Sequence, residues 1–260
     1  MRYYVVADVH GFYTELIAAL TEKGYFEDEA PHKLILCGDL FDRGKEGLKL
    51  QSFLLELMER DEVIIIRGNH EDLAEEFVRN VDHWMTPTLT YTHHWQNGTV
   101  QTVLDLTGMG ISEAYTNPKK CALRMNETPF FKKILPSAVD YYETEHYIFV
   151  HGWIPCYEVK YASGNRYYTP KENWREGTEE DWTYARWYNG MDAAWQGVTE
   201  PNKTIVCGHW HCSYGHAVIE GKGEERDENA DYTPYYGKGV IGLDACTARS
   251  GRVNCIVLED

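Results

Sequence analysis

Positive charge is scarce in this sequence. Lys and Arg total 25 against 41 Asp and Glu, a formal net charge of -16 over 260 residues. A surface so acidic repels phosphate backbones and anionic lipid, which argues against nucleic acid and membranes as partners. Paired cysteines are absent as well. The seven cysteines are scattered, odd in number and without a CxxC spacing, which argues against a disulfide framework or a structural zinc and for a reducing, cytoplasmic setting. No apolar run reaches membrane-spanning length. The apolar start, Met1 to Ala7, is cut off by Asp8 and lacks the basic flank and cleavage site of a signal peptide. Internal repeats and low-complexity tracts are lacking too.

What is present is a series of short β-rich apolar runs: Tyr3–Ala7, Leu34–Cys37, Val63–Ile66, Tyr147–Val150, Thr204–Cys207, Val240–Leu243 and Val253–Leu258. Most are bounded by Gly or charged residues and read as buried strands. Helical patterns separate the first of them, with Leu16, Ile17 and Leu20 in one and Leu48, Leu54, Leu55 and Met58 in the next. Strands alternating with helices predict an α/β fold, and the length suits a single domain over residues 1–260. Residues 72 to 140, rich in Trp, His and Thr, are expected to form an inserted helical cap over the edge of the sheet. Glu220 to Tyr236, acidic and Gly-rich, reads as a mobile loop.

Polar residues fall where these strands end. Asp8 and His10 follow the first run, Asp39 the second, Asn69 and His70 the third, His151 the fourth, and His209 and His211 the fifth. Open α/β sheets bind ligands beyond the carboxyl ends of their strands, so these loops are expected to converge on one rim. Singly, Asp and Asn there are ordinary turn and capping residues. Capping, however, gives no reason for histidine at four of the same exits. A donor set of carboxylate, imidazole and amide without thiolate suits Mn, Fe or Zn better than Ca.

The motifs Asp8-Val9-His10-Gly11, Gly38-Asp39-Leu40-Phe41-Asp42-Arg43-Gly44, Arg67-Gly68-Asn69-His70-Glu71, His151-Gly152 and Gly208-His209-Trp210-His211 occur in the order found in the calcineurin-like metallophosphoesterases. The chain resembles that family, and within it the phosphoprotein phosphatase branch. The resemblance implies a β-sandwich flanked by helices and two divalent ions, Mn or Fe/Zn. Asp8 and His10 would hold one ion, Asn69, His151 and His209 the other, and Asp39 would bridge them. His211 is an additional ligand in broader members. A metal-bridging hydroxide would attack phosphorus in line. His70, oriented by Asp42, would protonate the leaving group, and Arg43 would grip the phosphate oxygens with its planar fork. Arg186, within the aromatic stretch from Trp182 to Trp187, is a second candidate phosphate clamp through a looser likeness. Arg67 reads equally well as the partner of an acidic neighbour.

The resemblance makes phosphorylated protein or a phosphorylated small molecule the expected partner, and monoester hydrolysis by a serine/threonine or small-molecule phosphatase the leading function. Hydrolysis of dinucleoside polyphosphates is the nearest alternative, with phosphodiester hydrolysis behind it. Asp42 and Glu71 tilt the reading to monoesters, because symmetrical diadenosine tetraphosphatases typically replace the first and carry Asp at the second. A silent metal-binding scaffold would have no use for Asp42, Arg43 and His70 together. His93, His94 and the Trp and Tyr residues around them are expected to pack rather than to line a substrate mouth. The motifs carry no information on oligomeric state.

Overall fold

The computed structural model describes residues 1–87, 92–162 and 166–260; Tyr91 of the aromatic stretch lies outside them. The chain begins with β1 (Arg2–Val6), α1 (Tyr13–Glu22), β2 (His32–Cys37), α2 (Gly47–Glu59), β3 (Val63–Ile66) and α3 (Asn69–Arg79). Further helices follow, α4 (Val81–Trp84), α5 (His93–Asn97), α6 (Thr99–Thr107), α7 (Ile111–Thr116) and α8 (Pro118–Glu127), and then the short helical turns Phe130–Ile134 and Leu135–Ser137. The second half holds β4 (Tyr142–Glu143), β5 (Tyr147–Phe149), β6 (Cys156–Lys160), β7 (Arg166–Pro170), α9 (Glu179–Ala185), α10 (Gly190–Trp195), β8 (Thr204–Cys207), β9 (Tyr235–Gly237), β10 (Val240–Gly242) and β11 (Cys255–Glu259).

Two sheets result, ordered β11-β1-β2-β3 and β4-β5-β8-β10-β9, with β6 and β7 as a separate ribbon. The mixed α/β architecture expected from the alternation is present, and it is a sandwich. Period-two alternation explains how one strand serves two cores. From β1 and the residue after it, Tyr3, Val5 and Ala7 face the other sheet and meet Phe149, Val206, Ile241 and Leu243. Tyr4 and Val6 face outward, against Leu16 and Leu20 of α1 and Leu50 and Leu54 of α2. Burial on both faces is why β1 to β3 read as continuous apolar runs. The ribbon was not legible in that way, because Tyr157, Val159 and Tyr167 are exposed.

The helices after β3, expected as a cap over the sheet's edge, share their core with the first two helices. Phe77, Val100, Val103, Met125, Phe130 and Ile134 join α1 and α2 in one core over the outer face of the first sheet. The segment Glu220–Tyr236 is mostly irregular, as expected of a loop, yet Tyr232 is buried and its carbonyl accepts a hydrogen bond from Asn254 Nδ2 at 2.7 Å. No helix among the described residues is long and apolar enough to cross a membrane. All seven cysteines are free.

Candidate metal centre and catalytic dyad

Strands β1, β2 and β3 run parallel, as do β5, β8 and β10. Their carboxyl ends open on one rim, where the chain must turn sharply to deliver side chains into the crevice. Of nine non-glycine residues with positive φ among those described, six are Asp8, His10, Asp39, Asp42, Arg43 and His209. Left-handed backbone costs an L-residue roughly 1–2 kcal/mol, and strain concentrated this way marks a functional site. Glycine fills the tight gaps between these loops. A Cβ on Gly68 would lie 2.3 Å from Asp39 Oδ1 and 2.4 Å from Asp39 N, so the loop before α3 passes the Asp39 carboxylate only without a side chain.

Asp39 is the hub. Its Oδ1 lies 3.3 Å from His151 Nε2 and its Oδ2 3.6 Å from His10 Nε2 and 3.8 Å from His70 Nε2. Two groups of potential ligand atoms share it, His10 with His70 on one side and His151 with His209 on the other. Asn69 Oδ1 lies 2.8 Å from His151 Nε2. The Asp8 carboxylate accepts the backbone N–H of His209 at 3.0 Å. His211 lies outside these two groups; its ring neighbours Tyr232, at 6.3 Å between centroids.

The tautomers follow from what each ring touches. His10 Nδ1 donates to the Phe41 carbonyl at 2.9 Å and His151 Nδ1 to the Cys37 carbonyl at 2.7 Å, which leaves each Nε2 a lone pair turned towards Asp39. Burial lowers the pKa of His10, with Arg43 and His70 adding to the effect, and that of His209 falls to about 3 through burial and then His151. Both rings are therefore neutral, the form that binds metal. Burial, Asp244 and Asp39 push the Asp8 carboxyl well up. Asp244 follows β10 and is likewise raised by burial. Buried carboxylates and imidazole lone pairs thus point at one another, a donor set that fits divalent cations.

On one side of the hub His70 Nδ1 lies 2.7 Å from Asp42 Oδ2, and Arg43 reaches His10 Nε2 with Nη1 at 2.9 Å and His70 Nε2 with Nη2 at 3.2 Å. Burial opposes protonation of His70, but Asp39 and then the Asp42 hydrogen bond outweigh it and raise its pKa. Asp42 is held from α6: Thr99 Oγ1 donates to its Oδ2 at 2.9 Å and Thr102 Oγ1 to its Oδ1 at 2.6 Å. A model of the calcineurin-like phosphoesterases matches residues 1–213. The chain belongs to that family.

Similarity to individual members is local in sequence. The asymmetrical bis(5'-nucleosyl)-tetraphosphatase PrpE of Bacillus velezensis is 34% identical over 76 residues, 27% of this chain and 30% of that protein. A symmetrical bis(5'-nucleosyl)-tetraphosphatase of Buchnera aphidicola is 39% identical over 71 residues, 27% of this chain and 24% of its own. The match thus spans about a third or less of these relatives. In structure the chain is similar to a cold-active protein tyrosine phosphatase (TM-score 0.54, 19% identity, 99% of this chain and 73% of that one) and to a putative diadenosine tetraphosphatase (TM-score 0.50, 14% identity, 99% and 89%).

Within this calcineurin-like chain, several supports escaped the sequence reading. Glu71 accepts the backbone N–H groups of Asp39, Leu40 and Gly68 at 2.8 to 3.0 Å and so welds the second loop to the third. Its place in the Asn69-His70-Glu71 motif was the available signal. Asp244, directly after the Val240–Leu243 run, had its strand-exit position as a signal, and Thr99 and Thr102 had none. Arg186 is buried, with Nη1 2.8 Å from Asp72 Oδ2 and Nη2 2.5 Å from Asp140 Oδ1; clamping a phosphate would require it to exchange one of those carboxylates. Arg67 shares Asp72, at 2.7 Å through Nε, the acidic pairing foreseen for it.

Proposed function

We propose that this chain is a metal-dependent phosphomonoesterase, acting on phosphorylated protein or a phosphorylated small molecule. The observation that carries this reading is the buried His70–Asp42 contact of 2.7 Å beside the Asp39 hub. Asp8 and His10 would hold one divalent ion, Asn69, His151 and His209 the other, with Asp39 common to both and His211 a further donor. Such ions, Mn or Fe/Zn, supply Lewis acidity at a phosphoryl oxygen and lower the pKa of water.

The chain's own groups account for the rest. Asp42 accepts the Nδ1–H of His70 and leaves Nε2 to carry the proton that a departing alkoxide needs. Thr99 and Thr102 satisfy the Asp42 oxygens, so the carboxylate cannot swing away. Protonation of Nε2 removes the lone pair to which Arg43 donates, releasing one arm of the guanidinium for a phosphate oxygen. Arg186, if it exchanged Asp72 or Asp140, would provide a second cation.

Cleavage of dinucleoside polyphosphates is the second reading, favoured by the names of the relatives and by Trp187, a half-exposed ring 5.6 Å from the His209 ring that offers a base a stacking surface. The test is turnover of p-nitrophenyl phosphate, bis-p-nitrophenyl phosphate, a phosphoserine peptide and diadenosine tetraphosphate by Mn-loaded protein, with Asp39→Asn as control. Monoester turnover lost in the variant supports the first reading. Cleavage of the tetraphosphate alone replaces it with the second, and two bound metals with no turnover on any substrate leave a silent scaffold.

A further inference from the structure

Away from the Asp39 hub, α3 and α5 bring together three side chains that the proposed chemistry does not use. Glu76 Oε2 lies 3.2 Å from His93 Nε2 and 3.1 Å from His94 Nε2. Neighbouring residues on a helix ordinarily point about 100° apart. Here the two imidazoles converge, with ring centroids 4.0 Å apart and planes tilted by 39°. His93 makes a hydrogen bond to Glu76. Among the described residues His94, fully buried at 0% exposure, has no hydrogen-bond partner at Nδ1, and its Nε2 faces the Glu76 carboxylate. Buried polar atoms so placed nearly always have a partner.

We propose that Glu76, His93 and His94 form a second metal site, distinct from the Asp39 centre, for a borderline divalent cation of the zinc class that ties α5 to α3. Two imidazoles and one carboxylate are zinc-type ligands, whereas calcium and magnesium require oxygen. Ligands about 2.0–2.1 Å from zinc in a tetrahedron stand about 3.3 Å apart, close to the two gaps measured to Glu76. The side chains of His93 and Glu76 are 44% and 39% exposed, giving the ion an entry path and water for its fourth position. The other side is dry: the Trp84 ring lies 4.9 Å from His93 and 4.8 Å from His94, and Phe77 5.2 Å from His94. Burial, then His93, lowers the pKa of His94 to about 4, so its ring is a neutral ligand at physiological pH.

The position gives such an ion something to hold. Beyond α5 the chain turns at Gly98, where a Cβ would lie 2.4 Å from Arg43 N, and enters α6, which carries Thr99 and Thr102 to Asp42. A cation on α5 fixes the support of the dyad. The inference stands whether or not the Asp39 centre hydrolyses phosphate esters.

The test counts zinc in the full-length protein after chelator treatment and dialysis against Zn²⁺, comparing wild type with Glu76→Gln and His93→Asn, two partly exposed positions. One equivalent fewer in each variant is the expected result; equal zinc contents overturn the proposal. Hydrogen exchange of wild-type His93–Asn97 with and without Zn²⁺ decides the matter should the variants fold poorly. Slower exchange with zinc supports the site, and unchanged exchange refutes it.

Discussion

Thr102 and Asp42 bond to each other twice, although 60 residues separate them: the Thr102 hydroxyl donates to Asp42 Oδ1 at 2.6 Å and accepts the Asp42 backbone N–H at 3.0 Å. This reciprocal pair fixes both the position of the carboxylate and the strained backbone beneath it, where Asp42 has φ 71°. Replacing Thr102 with Val keeps the volume but orphans a buried N–H and half of a carboxylate. Stability should fall by about 1–3 kcal/mol, and turnover by about 10–100-fold with KM little changed, as for other residues that orient a working group. Denaturant unfolding and steady-state kinetics on one preparation check both, and an unaltered kcat would show that Asp42 needs no help from α6.

His70 tests the acid. In His70→Asn, turnover of alkyl phosphates should drop by about 10²–10⁴-fold, and that of p-nitrophenyl phosphate by less, because a good leaving group departs without a proton. Metal content should be unchanged. Equal losses on both substrates would remove His70 from that role.

Gly98 has φ 91° and almost touches Arg43, whereas Gly108, with φ 63°, has nothing within 4 Å of its missing Cβ. Gly108→Ala should therefore cost only the left-handed backbone penalty, roughly 1–2 kcal/mol. Gly98→Ala adds a clash that moves Arg43, so it should be the less stable of the two and the only one to weaken substrate binding. Thermal unfolding and KM for both variants give the comparison.

Acid sensitivity has a source far from the rim. Hydrogen bonds from Arg2, Tyr4 Oη and the Ala30 N–H hold the Asp28 carboxyl at about pKa 2. Because the folded-state pKa lies below the usual value of about 3.9, this carboxylate contributes stability fully above roughly pH 4 and loses it as pH falls towards 2. The gap in unfolding midpoint between wild type and Asp28→Asn should accordingly be constant near neutrality and close as pH falls from 4 to 2. A gap that stays open at pH 2 would assign the effect to something other than the charge.

The sequence by itself determined where the main strands lie and which residues stand at their ends. Both are local properties: a continuous apolar run of four to six residues specifies a buried strand, and Asp39, His151 and His209 follow one directly or within two residues. The resemblance carried by the motifs around Asp42 and His70 implied their pairing as well. Tertiary structure alone decided the rest. That α6 should supply Thr99 and Thr102 to Asp42, that Asp72 and Asp140 should engage Arg186, and that Thr247 should donate to the Asp8 carbonyl from 239 residues away depend on which surfaces meet once the apolar stripes are buried. Packing chooses among many sterically equivalent partners, and hydroxyls and carboxylates carry no periodic signal to announce that choice. The helices after β3 share one core with α1 and α2 for the same reason: their stripes specify that they must be covered, and only the assembled core specifies by what.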